Sequence, residues 1–154
     1  MQHRGSGQAL VVVQFLALAG LVLLAGGSLG ETETPAETPV GAVALAVAGL
    51  LLGLWALKVN RPGNFNIHPA PREGGHLVET GPYRLIRHPM YVALMMFGAS
   101  CAWIADSFPG WMLWLTLVCV LAVKALLEEW MLARAHQAYA AYRQRTRSFV
   151  PFLF

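Results

Sequence analysis

Four long apolar runs constrain this chain more than any other feature. They extend from about Ala9 to Gly27, Val40 to Leu57, Met90 to Ile104 and Trp111 to Leu127, with Gln14 in the first and Lys124 near the end of the fourth. A bilayer core about 30 Å thick takes roughly 17 to 25 helical residues to cross. The first two runs meet that length, the fourth comes close, and the third is marginal. Lipid tolerates no open backbone, so helices are the expected form. Hydrophobic types make up 56% of the 154 residues and charged types only 12%, about half the charge of a soluble domain. Such a chain cannot cover itself with polar surface. That excludes a disordered segment, a small disulfide scaffold and most ordinary soluble enzymes. The expectation is an all-α integral membrane protein with four principal transmembrane helices, forming a single domain over residues 1–154.

Arg4 ahead of the first run also suits a cleaved signal peptide, but the run is longer than a typical signal core and reads better as a span. Basic residues set the expected orientation. The link Ser28–Pro39 carries Glu31, Glu33 and Glu37 and no Lys or Arg, and the short link Ser107–Gly110 also lacks them. Five basic residues fall in Lys58–Arg87 and five more in Lys124–Arg147. By the positive-inside rule, both termini and the long middle connection are expected to be cytoplasmic, in a bacterial-type inner membrane. Trp55, Trp103, Trp111, Trp114 and Trp130 near the proposed span ends suit the interface. Gly41, Gly49 and Gly53 put small residues on one side of the second span, where helices can pack closely.

The net charge of +3 rests on eleven Lys and Arg with no lysine-rich tail or finger spacing, so no nucleic-acid partner is expected. Cys101 and Cys119 lie in apolar stretches without CxxC spacing and read as core or lipid-facing residues. His68, His76 and His88 lack compact ligand spacing, and no metal is expected.

Polar chemistry collects in two places. HLVETGPYRLIRHPMY, His76 to Tyr91, precedes the third run. Gly81-Pro82 should interrupt regular structure, and Pro89 suits the first turn of a helix, where its missing N–H costs nothing. Tyr83, Arg87, His88 and Tyr91 would then stand at the membrane boundary. The second region leaves the fourth run through Glu128 and Glu129 to YAAYRQR, Tyr139 to Arg145. Unpaired charges beside hydrocarbon are costly, so Arg87 is expected near Glu128 or Glu129. Arg143, Arg145 and Arg147 could serve anionic headgroups, with Arg147 projecting freely.

The combination of LVETGPYRLIRHPMY, EEWML at Glu128–Leu132 and YAAYRQR resembles the integral-membrane methyltransferases related to isoprenylcysteine carboxyl methyltransferase and the phospholipid N-methyltransferases. The resemblance covers roughly residues 64–151. It implies an S-adenosylmethionine-dependent enzyme whose cofactor pocket lies at the cytoplasmic ends of the last spans, beside a C-terminal helix. Tyr83, Arg87, His88, Pro89, Tyr91, Glu128, Glu129 and Tyr142 are the expected cofactor-binding residues. Arg87, Glu129 and Arg145 are the expected catalytic set, with Arg145 orienting an anionic acceptor or binding cofactor. Ala93 departs from the RHPxYxG pattern and would either narrow the pocket or alter helix approach. The expected substrate is a lipophilic small molecule or lipid-modified acceptor drawn from membrane lipids, with carboxylate, thiol or amine chemistry open. The alternatives are an integral-membrane NADPH-dependent reductase and a non-catalytic membrane binding or assembly protein.

Overall fold

The structure is a computed structural model that describes residues 3–30, 39–60, 77–135 and 137–151, with side chains from Gly7 onward. The described residues form five α-helices: α1 (His3–Gly30), α2 (Val40–Asn60), α3 (Pro89–Ala105), α4 (Phe108–Ala135) and α5 (Tyr139–Arg145). A single 3-10 turn covers Gly81–Arg84. The only strand-like pairing among them is an isolated bridge between Ile86 and Arg147. His68, His76 and most of the middle connection lie outside the described residues.

Among the described residues, three helices are long and apolar enough to cross a membrane: Gly7–Gly30, Val40–Asn60 and Phe108–Ala135. α3 is apolar but only 17 residues long. The outward faces carry large apolar side chains that no protein covers, among them Leu23, Val40 and Leu126. A water-soluble domain does not leave such continuous surface open.

The four long helices each outrun the apolar stretch that announced them, α1 and α4 by several residues. The clearest correction concerns the link expected at Ser107–Gly110. Ser107 accepts hydrogen bonds from the N–H groups of Gly110, through its hydroxyl, and Trp111, through its carbonyl. That caps α4 and draws Phe108–Gly110 into its first turn. Asp106, in the left-handed region at φ 40°, ends α3. The connection is therefore only Asp106–Ser107.

α2 packs along α3, while α1 packs against α3 and α4, which also pack against each other. Ala17, Leu21, Tyr91, Cys101, Ala102, Leu117, Leu121 and Ala125 form the core between them. Polar bonds fasten the helices: Ser100 Oγ donates to the Ala42 carbonyl at 2.7 Å, and Trp114 Nε1 donates to that of Met95 at 2.9 Å. Trp114 is thus a packing residue. Trp55, Trp103, Trp111 and Trp130 are exposed as interface residues would be.

Small residues on α2 face α3 as expected. A Cβ on Gly49 would stand 3.0 Å from the Ala93 carbonyl oxygen, and one on Gly53 would stand 3.4 Å from the Ala93 Cβ. The Ala93 methyl therefore meets α2 and bears on helix approach. Gly81 has φ +59°, and a Cβ there would fall 2.7 Å from a Val59 methyl. Only glycine suits this turn, which brings the 3-10 segment against α2.

Candidate functional site

The 3-10 turn and His88-Pro89 place a short polar segment at the start of α3. Pro89 occupies the first turn of the helix and His88 its cap, as the HP dipeptide predicts. α4 runs back antiparallel from the Asp106–Ser107 turn. Glu128 lies 20 residues beyond Phe108, about 30 Å along the helix at 1.5 Å per residue. Both carboxylates therefore stand one bilayer-core thickness from the turn, beside the start of α3.

Arg87 is the hub. Its Nε donates to Glu129 Oε1 at 2.8 Å and its Nη2 donates to Glu129 Oε2 at 3.3 Å. Nη2 also donates to Ser148 Oγ at 2.7 Å, and Nη1 donates to the Thr146 carbonyl at 2.6 Å. Ser148 in turn donates to Glu129 at 2.8 Å. The Arg87 and Glu129 side chains are 8% and 7% exposed, so this charge-assisted network is closed off from solvent. Backbone bonds complete the brace. Arg87 and His88 N–H groups donate to the carbonyls of Arg147 and Ser148, and the Arg147 N–H donates to that of Leu85. The Arg147 side chain is exposed as expected, but its backbone is pinned.

His88 sits between the two carboxylates, with Nε2 3.2 Å from Glu129 Oε1 and Nδ1 3.5 Å from Glu128 Oε2. Burial opposes its protonation, yet the bonds to Glu128 and Glu129 outweigh burial and raise its pKa above the usual 6.5. Its ring stacks on Tyr91, with centroids 5.4 Å apart. The Tyr91 hydroxyl donates to Glu128 Oε1. Glu128 remains 21% exposed against 7% for Glu129, so it is the more accessible carboxylate of the pair.

α5 covers the other side. Tyr142 Oη donates to the Tyr83 carbonyl at 2.7 Å. Burial, reinforced by Glu128, pushes the Tyr83 phenol up to about 12. Arg145 lies apart: it is exposed, paired with Glu79 at 3.0 Å, and lines a cleft of about 150 Å³ with Arg84, Leu85 and Arg147. The structure thus gathers Tyr83, Arg87, His88, Pro89, Tyr91, Glu128, Glu129 and Tyr142, while Arg145 stands at the edge.

Tyr139, the first residue of YAAYRQR, is not among the expected site residues. Its side chain is almost fully buried, and its hydroxyl is the one buried side-chain polar atom among the described residues without a partner. The charges of Glu129, Arg87, Arg143 and Glu128 all act on it. A buried hydroxyl left unmet costs about 1–3 kcal/mol, and a polar ligand group at this cluster would relieve it. Chemically, the Glu128 carboxylate can accept from a ligand ammonium and the Tyr139 hydroxyl can donate to a ligand carboxylate. Ser148 and Thr146 were missed too, since neutral hydroxyl residues in a basic tail carry no motif. Among the described residues no group of His, Cys, Asp and Glu could hold a metal ion.

No curated protein matches the chain. The family model described as phospholipid methyltransferase matches residues 38–139, about two-thirds of the sequence. That match spans the polar segment before α3 and the Glu-Glu pair on α4, the two parts that the structure joins. The chain belongs to the phospholipid methyltransferase family, an integral-membrane methyltransferase group.

Proposed function

We propose that the protein transfers a methyl group from S-adenosylmethionine to a lipophilic, membrane-associated acceptor, at the end of the bundle where α3 begins. The observation that carries this reading is the joining of Arg87, His88, Tyr91, Glu128 and Glu129 into one charged cluster beside apolar, uncovered helix faces. In this reading α1, α2, α3 and α4 are four spans. α3 is the shortest at about 25 Å, and the site faces the cytoplasm because the basic residues lie on its side.

When bound, S-adenosylmethionine supplies an electrophilic methyl group on sulfur and presents an ammonium and a carboxylate. Glu128, the more exposed carboxylate, accepts hydrogen bonds from the ammonium. Arg87 and Glu129 satisfy each other and act by positioning: they lock the residues after α5 over the start of α3. Tyr83, Tyr91 and Tyr142 wall the pocket and exclude water, and the Tyr139 hydroxyl gains a polar partner. Alignment and water exclusion supply most of the rate. Arg145 orients an anionic group of the acceptor. Its exposed pairing with Glu79 is worth at most about 1 kcal/mol, so it can be exchanged for a ligand anion. A carboxylate acceptor attacks directly, whereas a thiol or ammonium must first lose a proton.

Incubation with methyl-labelled S-adenosylmethionine and membrane extract tests the reaction. A labelled, solvent-extractable lipid is expected, with lower yield from Arg145→Ala for anionic acceptors than for neutral ones. Hydride transfer from NADPH without methyl transfer would contradict the proposal.

A further inference from the structure

α1 lies wholly outside the family match, yet it supplies the partner of a buried ammonium. Lys124 Nζ donates to Gln14 Oε1 at 2.7 Å across 110 residues of sequence. Lys124 is 2% exposed and Gln14 6%. These are the two strongly polar side chains that interrupt the apolar runs, and the fold brings them together. A charge buried inside a membrane bundle is expensive and marks a candidate functional position. Nζ also stands 5.2 Å from the centroid of the Tyr91 ring, within cation–π range. The hydroxyl of that ring donates to Glu128, which lies one helical turn beyond Lys124 on the same face.

The polar path therefore runs Gln14, Lys124, Tyr91, Glu128. Its first member belongs to α1, its second and fourth to α4, and its third to α3. His88 stacks on the Tyr91 ring from the start of α3, and Lys124 meets the same ring from α4. Gln14 offers the acceptor that keeps the flexible Lys124 stem aimed at Tyr91, not at Glu128 four residues on. A lysine released from Gln14 would reach for that carboxylate as an i,i+4 partner.

We infer that Gln14 and Lys124 are positioning residues: together they hold Tyr91, and through its hydroxyl Glu128, in the arrangement that receives the cosubstrate. This rests on the methyltransferase reading and adds α1 to the site. Lys124→Met is expected to raise the Kd for S-adenosylhomocysteine about tenfold, as is Tyr91→Phe. Because both act through the same hydroxyl, Lys124→Met/Tyr91→Phe should bind no worse than either single variant. Gln14→Met should weaken binding similarly, and Gln14→Glu, which keeps an acceptor for Lys124, should restore it to within about threefold. Gln14→Met/Lys124→Met removes the buried charge with its acceptor and should melt near the parent temperature while still binding weakly.

Calorimetry in detergent, with the melting temperature of each purified variant, reads all of these. Unchanged affinity in Lys124→Met and Gln14→Met would overturn the inference and leave the methyltransferase reading standing. So would multiplying effects in the double variant with Tyr91→Phe, which mark separate, structural contributions. If the parent protein binds no S-adenosylhomocysteine, both readings fall. Should Lys124→Met not fold, the comparison of Gln14→Met with Gln14→Glu decides: equal affinities overturn the inference, and a gap in favour of Gln14→Glu supports it.

Discussion

Arg87 and Glu129 are 42 residues apart in sequence and joined by two hydrogen bonds, from Nε at 2.8 Å and Nη2 at 3.3 Å. Both side chains are buried, and the same guanidinium holds Thr146 and Ser148. One pair thus fixes the entry to α3, the end of α4 and the chain beyond α5.

Removing one partner should be felt throughout that brace. Arg87→Ala leaves Glu129 buried with its main counter-charge gone, a loss of roughly 3–5 kcal/mol in comparable buried pairs. The variant should melt well below the parent and bind S-adenosylhomocysteine at least about tenfold more weakly, about 1.4 kcal/mol. Arg134→Ala, which removes an exposed guanidinium stacked on Trp130, should change affinity less than about twofold. Melting curves and calorimetry check both.

Much of this arrangement is legible in the sequence. Hydropathy marks the helices because a segment in lipid must be apolar along its length, and the cost of an unpaired charge foretells the meeting of Arg87 with the Glu pair. The Pro89 helix start follows from proline's fixed φ and missing N–H. Other features leave no local trace. Ser148 and Thr146 matter because a turn of chain brings their hydroxyls to Arg87, and nothing in their neighbours says so. Gln14 and Lys124 stand out singly, but their pairing depends on α1 and α4 packing antiparallel at one register. The true start of α4 was hidden by Pro109-Gly110, which read as a link until Ser107 supplied the cap.

His88 gives a pH dependence with a definite sign. Its pKa is raised in the folded protein, burial opposing protonation and the Glu128 and Glu129 bonds outweighing it. The stabilisation from the imidazolium is therefore complete below the unfolded value near 6.5 and is lost as pH rises through the folded value. The melting-temperature gap between the parent and His88→Gln should be widest at pH 6 and shrink toward pH 9. A gap that widens with pH would contradict this assignment.

Close packing of α2 on α3 leaves no room at Gly49. With the Ala93 carbonyl 3.0 Å from the position of a Cβ, Gly49→Val should destabilise by about 1–3 kcal/mol through overpacking. Gly26→Ala, where nothing lies within 4 Å of an added Cβ, should be neutral or slightly stabilising. Thermal unfolding in one detergent compares the two.

The proposed four-span arrangement puts the Asp106–Ser107 turn and the α5 end on opposite faces. Phe108 is 76% exposed and Gln144 is also exposed. Single cysteines at these positions, in a background with Cys101 and Cys119 replaced, should label from opposite sides of sealed vesicles. Gln144→Cys should label from the cytoplasmic side. Labelling of both from one side would contradict the proposed crossing of α4.

The central claim is that the joined polar cluster is a cosubstrate site, and calorimetry of the purified chain with S-adenosylhomocysteine and with NADPH tests it most directly. The account predicts saturable binding of S-adenosylhomocysteine, one per chain, sharply weakened in Glu128→Gln, and no heat from NADPH. Saturable NADPH binding with none of S-adenosylhomocysteine, in protein that melts cooperatively, would contradict it.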